Sequence, residues 1–316
     1  MSVPPSQHRR PRSLLALLTS VLFLLTATGA AAAGPPDDRG KPDRGRDAYV
    51  AIGDSFASGV GTGLPDLDLG CYRSSAAYPP IVDVERFDTS LEFVACGGAT
   101  TATVTATQLH PLDRQTDFVT LSVGGNDIGF GSLVAACVGG ATDEVCLGAV
   151  AVAEGAIAGV LPARLDATYD AVRERVRRAE VIVVGYPRFF SEPYVPCLQS
   201  SGISATEAAA LNGVADQLDA VIANRAASAG FTYVSVVESF TGHDMCAAEP
   251  WVNGLTFVPG LGQVVPGTTP SDSYHPNRAG YREGFTPLVS DAMEERRPSV
   301  SQVRVPEHTA RHGIPA

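Results

Sequence analysis

Lysine is nearly absent from this 316-residue chain: of its 23 basic residues only Lys41 is a lysine, and it lies in a charged, proline- and glycine-rich stretch ahead of the first strand-like segment. P-loops and Schiff-base chemistry both need a lysine inside the fold, so neither class applies. No C-x-x-C occurs, and the six cysteines, Cys71, Cys96, Cys137, Cys146, Cys197 and Cys246, are spaced by 25, 41, 9, 51 and 49 residues. That spacing fits neither a zinc ribbon nor a thioredoxin motif, which sets aside metal and redox chemistry. The glycines between 59 and 63 make no dinucleotide fingerprint, because Leu64 stands at the sixth position of G-x-G-x-x-G. Cations are outnumbered by 34 acidic residues, and loss of the first 33 residues removes Arg9, Arg10 and Arg12 with no acid, taking the formal charge from −11 to −14. Such a surface repels nucleic acid and anionic membrane.

What is present describes an exported globular protein. Hydrophobic residues make up 45% and charged residues 18%, with 32 glycines and 23 prolines, which fits a loop-rich globular body of one domain. Residues 8–12 (HRRPR) precede an apolar run over 14–25 that gives way to the small residues of ATGAAAAG. This is the layout of a secretory signal peptide, with cleavage after Ala33 satisfying the small-x-small rule and Ala31 or Ala32 serving as well. An uncleaved anchor is the rival, but threonine, glycine and alanine dilute the second half of the run. Arg9 and Arg10 resemble a twin-arginine signal, while Pro11 and a missing phenylalanine leave the export route open. The expected organisation is a signal peptide (1–33), a disordered lead (34–46), one domain (47–295) and a flexible tail (296–316). An even number of cysteines in an exported chain implies three bridges. Fifteen connectivities are possible, of which sequential pairing needs no chain crossing. Each bridge stabilises by about 2–4 kcal/mol.

Short valine- and aromatic-rich segments at 49–52, 118–123, 181–184 and 231–237 read as buried strands. Between them, residues 148–179 carry apolar positions at helical spacing and end in a cluster of arginines suited to a helix C-terminus. Residues 204–229 repeat the pattern and open with Ser204 and Glu207 three apart, a capping box. Strands alternating with helices predict an α/β fold with a central parallel sheet covered on both faces.

In such sheets reactive groups sit beyond the carboxyl ends of strands. After the first strand the chain reads GDSFASGVGTG: Gly53 permits a sharp turn, and Ser55 stands where a helix begins, beside free N–H groups and a positive dipole end. A serine needs a base, and the histidines of the predicted domain are His110, His243 and His275. His110 and His243 each lie beside turn formers and read as structural hydrogen bonders. Asp272 precedes His275 by three residues, a spacing that puts both side chains on one face of a turn. The carboxylate can then accept from one ring nitrogen and leave the other to face the serine. Donors for a developing oxyanion are offered by CGGAT, with Gly97 and Gly98, and by GGND, with the Asn126 amide.

In this order the blocks resemble the GDSL, or SGNH, hydrolase family: Gly53-Asp54-Ser55, the glycine of CGGAT, Gly124-Gly125-Asn126-Asp127 and Asp272-Ser273-Tyr274-His275-Pro276. The resemblance spans about residues 48–295. It implies a three-layer α/β/α flavodoxin-like fold, with Ser55 as nucleophile, His275 as base and Asp272 as the acid that orients it. The Ser55 N–H, Gly98 N–H and Asn126 amide are then the oxyanion hole. Phe56 stands where the family has leucine, a change expected to affect packing rather than chemistry. Gly97 stands where serine is common, so either glycine can be the donor, and Gly98 is favoured. The three-bridge cysteine pattern is similar to that of secreted actinobacterial lipases and esterases. Joining neighbours into separate loops predicts Cys71 with Cys96, Cys137 with Cys146, and Cys197 with Cys246.

The function implied is a secreted, monomeric serine esterase or lipase acting on small-molecule or lipid esters, with no metal or organic cofactor and no stable membrane insertion after signal cleavage. Phe130, Leu133, Phe189, Phe190 and the apolar stretch 251–265 are candidates to line an acyl groove. Two rivals stand beside it. An α/β-hydrolase-type esterase shares the order Ser, Asp, His, but its elbow follows several strands and its acid lies far from the histidine in sequence. A catalytically idle carbohydrate-binding protein on the same scaffold would not need all four blocks.

Overall fold

A computed structural model describes residues 46–295 except 64, 88, 140–141, 201 and 259–260. The signal peptide expected at 1–33, the lead at 34–46 apart from Arg46, and the tail at 296–316 lie outside the described residues. Five strands form a parallel sheet: β1 (Ala48–Gly53), β2 (Ser90–Phe93), β3 (Phe118–Ser122), β4 (Glu180–Val184) and β5 (Thr232–Val234), in the spatial order β2-β1-β3-β4-β5. A two-stranded antiparallel ribbon, β6 (Phe257–Val258) with β7 (Gly262–Gln263), stands apart from it. The five-strand order is the flavodoxin-like one, whose direction of winding reverses between β1 and β3.

The strand residues explain which strands could be anticipated. The central strands β1, β3 and β4 are buried on both faces and therefore read as continuous apolar runs. At one edge, β2 is only half-buried, and its four residues carry no such signal. At the other edge β5 is shorter than the predicted segment 231–237, because it pairs with β4 only through Thr232, Tyr233 and Val234.

The helices are α1 (Ser55–Ser58), α2 (Tyr78–Val82), α3 (Thr101–Thr107), α4 (Phe130–Cys137), α5 (Asp143–Gly159), α6 (Leu161–Arg175), α7 (Ala205–Ser228) and α8 (Thr286–Glu295). Apart from the short α1, which packs on β1 and β3, they fall into two packed groups, α2 with α8 and α3 through α7, and members of both groups contact the sheet. The single helical stretch expected over 148–179 is two helices, α5 and α6, bent by 48°. Pro162 in the first turn of α6 accounts for the break, since its nitrogen cannot donate to the preceding turn. The start of α7 follows the capping box: the Glu207 N–H donates to Ser204 Oγ at 3.1 Å and the Ser204 N–H to Glu207 Oε2 at 2.8 Å. All three disulfides follow the sequential pairing, Cys71–Cys96, Cys137–Cys146 and Cys197–Cys246.

Candidate active site

Gly53 and Ser122 are register partners in β1 and β3, so the chain leaves both strands at the same level, on either side of the point where the winding reverses. Gly53 has φ of +133°, and a Cβ there would lie 2.4 Å from the Ser122 carbonyl oxygen, so only glycine allows this exit. Asp54 then caps α1: its N–H donates to Ser122 O at 2.9 Å, and its Oδ1 accepts from the Phe56 N–H at 3.0 Å. Ser55, the first residue of α1, is buried to 9% exposure, and the N–H groups of Phe56, Ala57 and Ser58 behind it are all taken up by Asp54.

The other half of the site arrives from 220 residues away. The Ser55 hydroxyl donates to His275 Nε2 at 2.8 Å, and the Nδ1–H of the same ring donates to the backbone carbonyl of Ser273 at 2.8 Å. Here the structure corrects an expectation, since the Asp272 carboxylate does not hydrogen-bond the imidazole. Its Oδ1 accepts from the Gly61 N–H at 2.7 Å, and its Oδ2 accepts from the N–H and hydroxyl of Thr269 at 2.5 and 2.8 Å. The reason lies in the turn. Asp272 ends a 3-10 turn whose capping box with Thr269 uses the carboxylate, and Tyr274 takes φ of +57°. This left-handed residue folds the ring back onto the Ser273 carbonyl rather than onto the acid. Asp272 thus fastens the histidine loop to the turn that follows Ser55.

Three of these fastenings escaped sequence reading. Gly61 has φ of +104°, and a Cβ there would lie 2.0 Å from the Pro276 carbonyl, so the two loops meet at backbone distance. Asn253 clamps the same contact: its Nδ2 donates to Gly61 O at 2.8 Å and to Asp272 O at 3.2 Å, while its N–H donates to His275 O at 2.9 Å. The Tyr281 hydroxyl donates to Val60 O at 2.9 Å. A lone asparagine within the apolar stretch 251–265 was the one available signal, because a buried amide needs partners.

The oxyanion candidates also meet. Ser55, Gly98, Asn126 and His275 line one open cleft. Asn126 Nδ2 donates one hydrogen to Ala99 O at 2.9 Å, which leaves the second available to a ligand. The two glycines differ in their bonds. The Gly97 N–H donates to Cys71 O at 2.9 Å, whereas the Gly98 N–H has no partner among the described residues. Asp127 serves as scaffold, accepting from the N–H and hydroxyl of Thr101 at 2.9 and 2.6 Å at the start of α3.

Beside the cleft lies a narrow apolar cavity whose lining includes Ser55 and Asn126. Phe130, Leu133, Phe189 and Phe190 line it as anticipated, joined by Leu211 and Leu218 of α7. The stretch 251–265 contributes differently from expectation. Leu255 borders the open cleft, while Trp251 stacks at 3.8 Å on His243, whose Nδ1 bonds Glu249 O. His110 likewise bonds a backbone carbonyl, that of Thr107. Neither histidine touches Ser55. Phe56 packs its ring 5.1 Å from the His275 ring and 4.9 Å from Tyr186, a packing role.

Burial sets the charge states. It lowers the His275 imidazolium to about 4, with the Ser273 carbonyl and the Asp272 charge pulling weakly the other way. The ring is therefore neutral at pH 7 and able to take a proton. Burial raises the Asp54 carboxyl to about 7, against hydrogen bonds from Tyr186 and Phe56 that favour its charged form.

A nucleophile-placed serine with a neutral histidine at the switch point of a 2-1-3-4-5 parallel sheet is the layout of a serine hydrolase of α/β class. The sequence pattern of the GDSL-like lipase/acylhydrolase family matches residues 51–283, and the chain belongs to that family. Membership carries the enzyme class, carboxylic ester hydrolase. Among its relatives, Lipase 1 of Streptomyces coelicolor is 37% identical over 270 residues, covering 85% of this chain and 95% of that protein. The crystal structure of an extracellular lipase from Streptomyces rimosus superposes with a TM-score of 0.70 at 38% identity, covering 78% of this chain and 99% of that one. A phospholipase A1 from Streptomyces albidoflavus gives the same TM-score and coverage at 36% identity.

Proposed function

We propose that the protein is a secreted lipase or esterase that cleaves acyl esters through a serine–histidine pair, with the Ser273 carbonyl in the place expected of an acid. The observation that carries this reading is the 2.8 Å contact between Ser55 Oγ and His275 Nε2 at the mouth of an apolar cavity. As an ester carbonyl enters, Ser55 Oγ attacks its carbon while His275 Nε2 takes the hydroxyl proton. Charge then develops on the carbonyl oxygen, within reach of the Ser55 and Gly98 N–H groups and the Asn126 amide. His275 returns the proton to the leaving alkoxide, giving an alcohol and an acyl-enzyme. Water, deprotonated by the same nitrogen, releases the acid. The acyl chain occupies the cavity under Phe130 and Phe189, and the alcohol leaves through the open cleft bordered by Tyr72, Ser271 and Leu255.

Secretion is supported by the signal-like residues 1–33, by the three disulfides and by the likeness to an extracellular lipase. The chain acts as a monomer and needs no lasting membrane insertion. A fluorophosphonate probe is expected to label the wild-type protein and not a folded Ser55→Ala variant, which also loses ester hydrolysis. Labelling that persists in that variant would sink the reading, and no labelling of the wild type would favour an idle binding scaffold. A rate series over acyl length and head group identifies the natural ester.

A further inference from the structure

We propose that Tyr186 is a positioning residue for the oxyanion hole, tying the turn that carries Ser55 to the turn that carries Asn126. It rests on the reading of Asn126 as an oxyanion donor given above. Tyr186 follows β4 and so comes from a third strand end, beside β3 and two strands from β1. Its hydroxyl donates to Asp54 Oδ2 at 2.6 Å and accepts from the Gly125 N–H at 3.2 Å. Asp54 immediately precedes Ser55, and Gly125 immediately precedes Asn126. One oxygen atom thus bridges the Asp54 side chain and the Gly125 backbone, each next in sequence to a residue that carries one of the three donors.

The surroundings make this bridge stiff. Tyr186 is 5% exposed, and its ring packs edge-on against Phe56 at 4.9 Å. It also covers the face of Gly125, where a Cβ would lie 3.5 Å from the ring carbon bearing the hydroxyl. Asp54 passes the constraint on, because its other oxygen holds the Phe56 N–H in the first turn of α1. On the far side, the Asn126 side chain donates to Ala99 O and its backbone carbonyl accepts from the Gly129 N–H, so its reach toward a ligand depends on where the turn that begins at Gly124 and Gly125 is held. A donor displaced from the developing oxyanion loses most of its worth, since hydrogen bonds in a preorganised site act over a narrow range of distance. If Tyr186 did no more than satisfy two buried polar groups, its loss would lower stability and leave turnover intact.

The test is Tyr186→Phe, which keeps the ring and removes the bridge, assayed with a soluble short-chain p-nitrophenyl ester in wild-type and Asn126→Ala backgrounds. The expected result is a fall in kcat on the order of tenfold at unchanged KM in the wild-type background, the scale of one hydrogen bond in a transition state. In the Asn126→Ala background the same change is expected to cost no further turnover. Affinity for an alkyl boronic acid, which forms a tetrahedral adduct with the serine, falls in parallel with kcat. Losses that add across the two backgrounds, a change confined to KM, or a drop in Tm without a drop in kcat would each overturn the proposal. Full turnover in Asn126→Ala alone would overturn the oxyanion reading of Asn126 and this inference with it. Should Tyr186→Phe not fold, Asp54→Asn removes the charged acceptor from the same bridge, and additivity of its kcat loss with Asn126→Ala counts equally against the proposal.

Discussion

The carbonyl oxygen of Ser273 keeps the Nδ1 of His275 protonated and so leaves Nε2 as the acceptor for the Ser55 proton. A carbonyl orients the ring without a full charge, and Asp272, whose oxygens are taken by Gly61 and Thr269, acts on the loop instead. Replacing His275 by alanine removes both proton transfers, so its kcat is expected to fall nearly as far as that of Ser55→Ala. Asp272→Ala is expected to keep much more activity but to lose stability, by about 1–3 kcal/mol for a buried donor left unpaired, read as a lower Tm. Equal kcat losses in the two variants would reject this division of roles. Asn126→Ala removes one donor of three and is expected to cost about 100- to 1000-fold in turnover. The pH profile departs from that of an ordinary imidazole. Because burial holds His275 down to about 4, kcat/KM is expected to stay flat from neutral pH to about 5 and to fall only as pH drops through about 4. A midpoint near 6.5 in the kcat/KM profile would contradict that environment.

His275 and Asp54 affect stability with opposite sign. Between about 4 and 6.5 the unfolded state holds a proton on His275 that the folded state lacks, so this group makes stability rise with pH across that window. Between 3.8 and about 7 the folded state holds a proton on Asp54 that the unfolded state lacks, so this group makes stability fall. The difference in Tm between Asp54→Asn and wild type is therefore expected to shift in favour of the variant as pH is raised from 4 to 7, in a thermal melt series. The meeting of these candidate groups was legible from residue identity, in the glycine, serine, asparagine and histidine of the four blocks. The carboxylate's role was not, because a three-residue spacing says that two side chains are close and not which backbone group intervenes.

At the level of elements, the site depends on how α4 and α7 are held over the cavity. The Cys137–Cys146 bridge joins the end of α4, which carries Phe130 and Leu133, to the first turns of α5. Replacing both cysteines by alanine is expected to cost about 2–3 kcal/mol for so short a loop and to raise KM for long-chain esters more than for acetate esters. Non-reducing peptide mapping checks the three pairs directly. The capping box makes a smaller, separable contribution at the start of α7: Ser204→Ala is expected to cost about 1 kcal/mol and lower Tm by about 2–4 °C with kcat unchanged. This element could be read in advance because its capping partners lie within one turn. The bend between α5 and α6 was missed although Pro162 was in view, since a proline in the first turn of a new helix and one inside a kinked helix look alike in sequence.

Across the whole molecule, the sequence by itself determined the parallel α/β architecture, the strand that ends in Ser55, the sequential disulfides and the candidate groups that meet in one cleft. These follow from local chemistry: apolar runs that need burial on both faces, turn residues at strand ends, caps within a turn of their helices. Only the tertiary structure decided which partner each group takes. Ser55 and His275 are 220 residues apart, Gly61 must admit the Pro276 carbonyl at backbone distance, and Asn253 fastens both loops. The Gly98 N–H is open to the cleft because Cys71 occupies that of Gly97, and Tyr186 reaches Asp54 from two strands away. Such contacts have no periodicity for a sequence to display, since they form where chain segments meet by packing and are selected by which buried donors and acceptors would otherwise go unpaired.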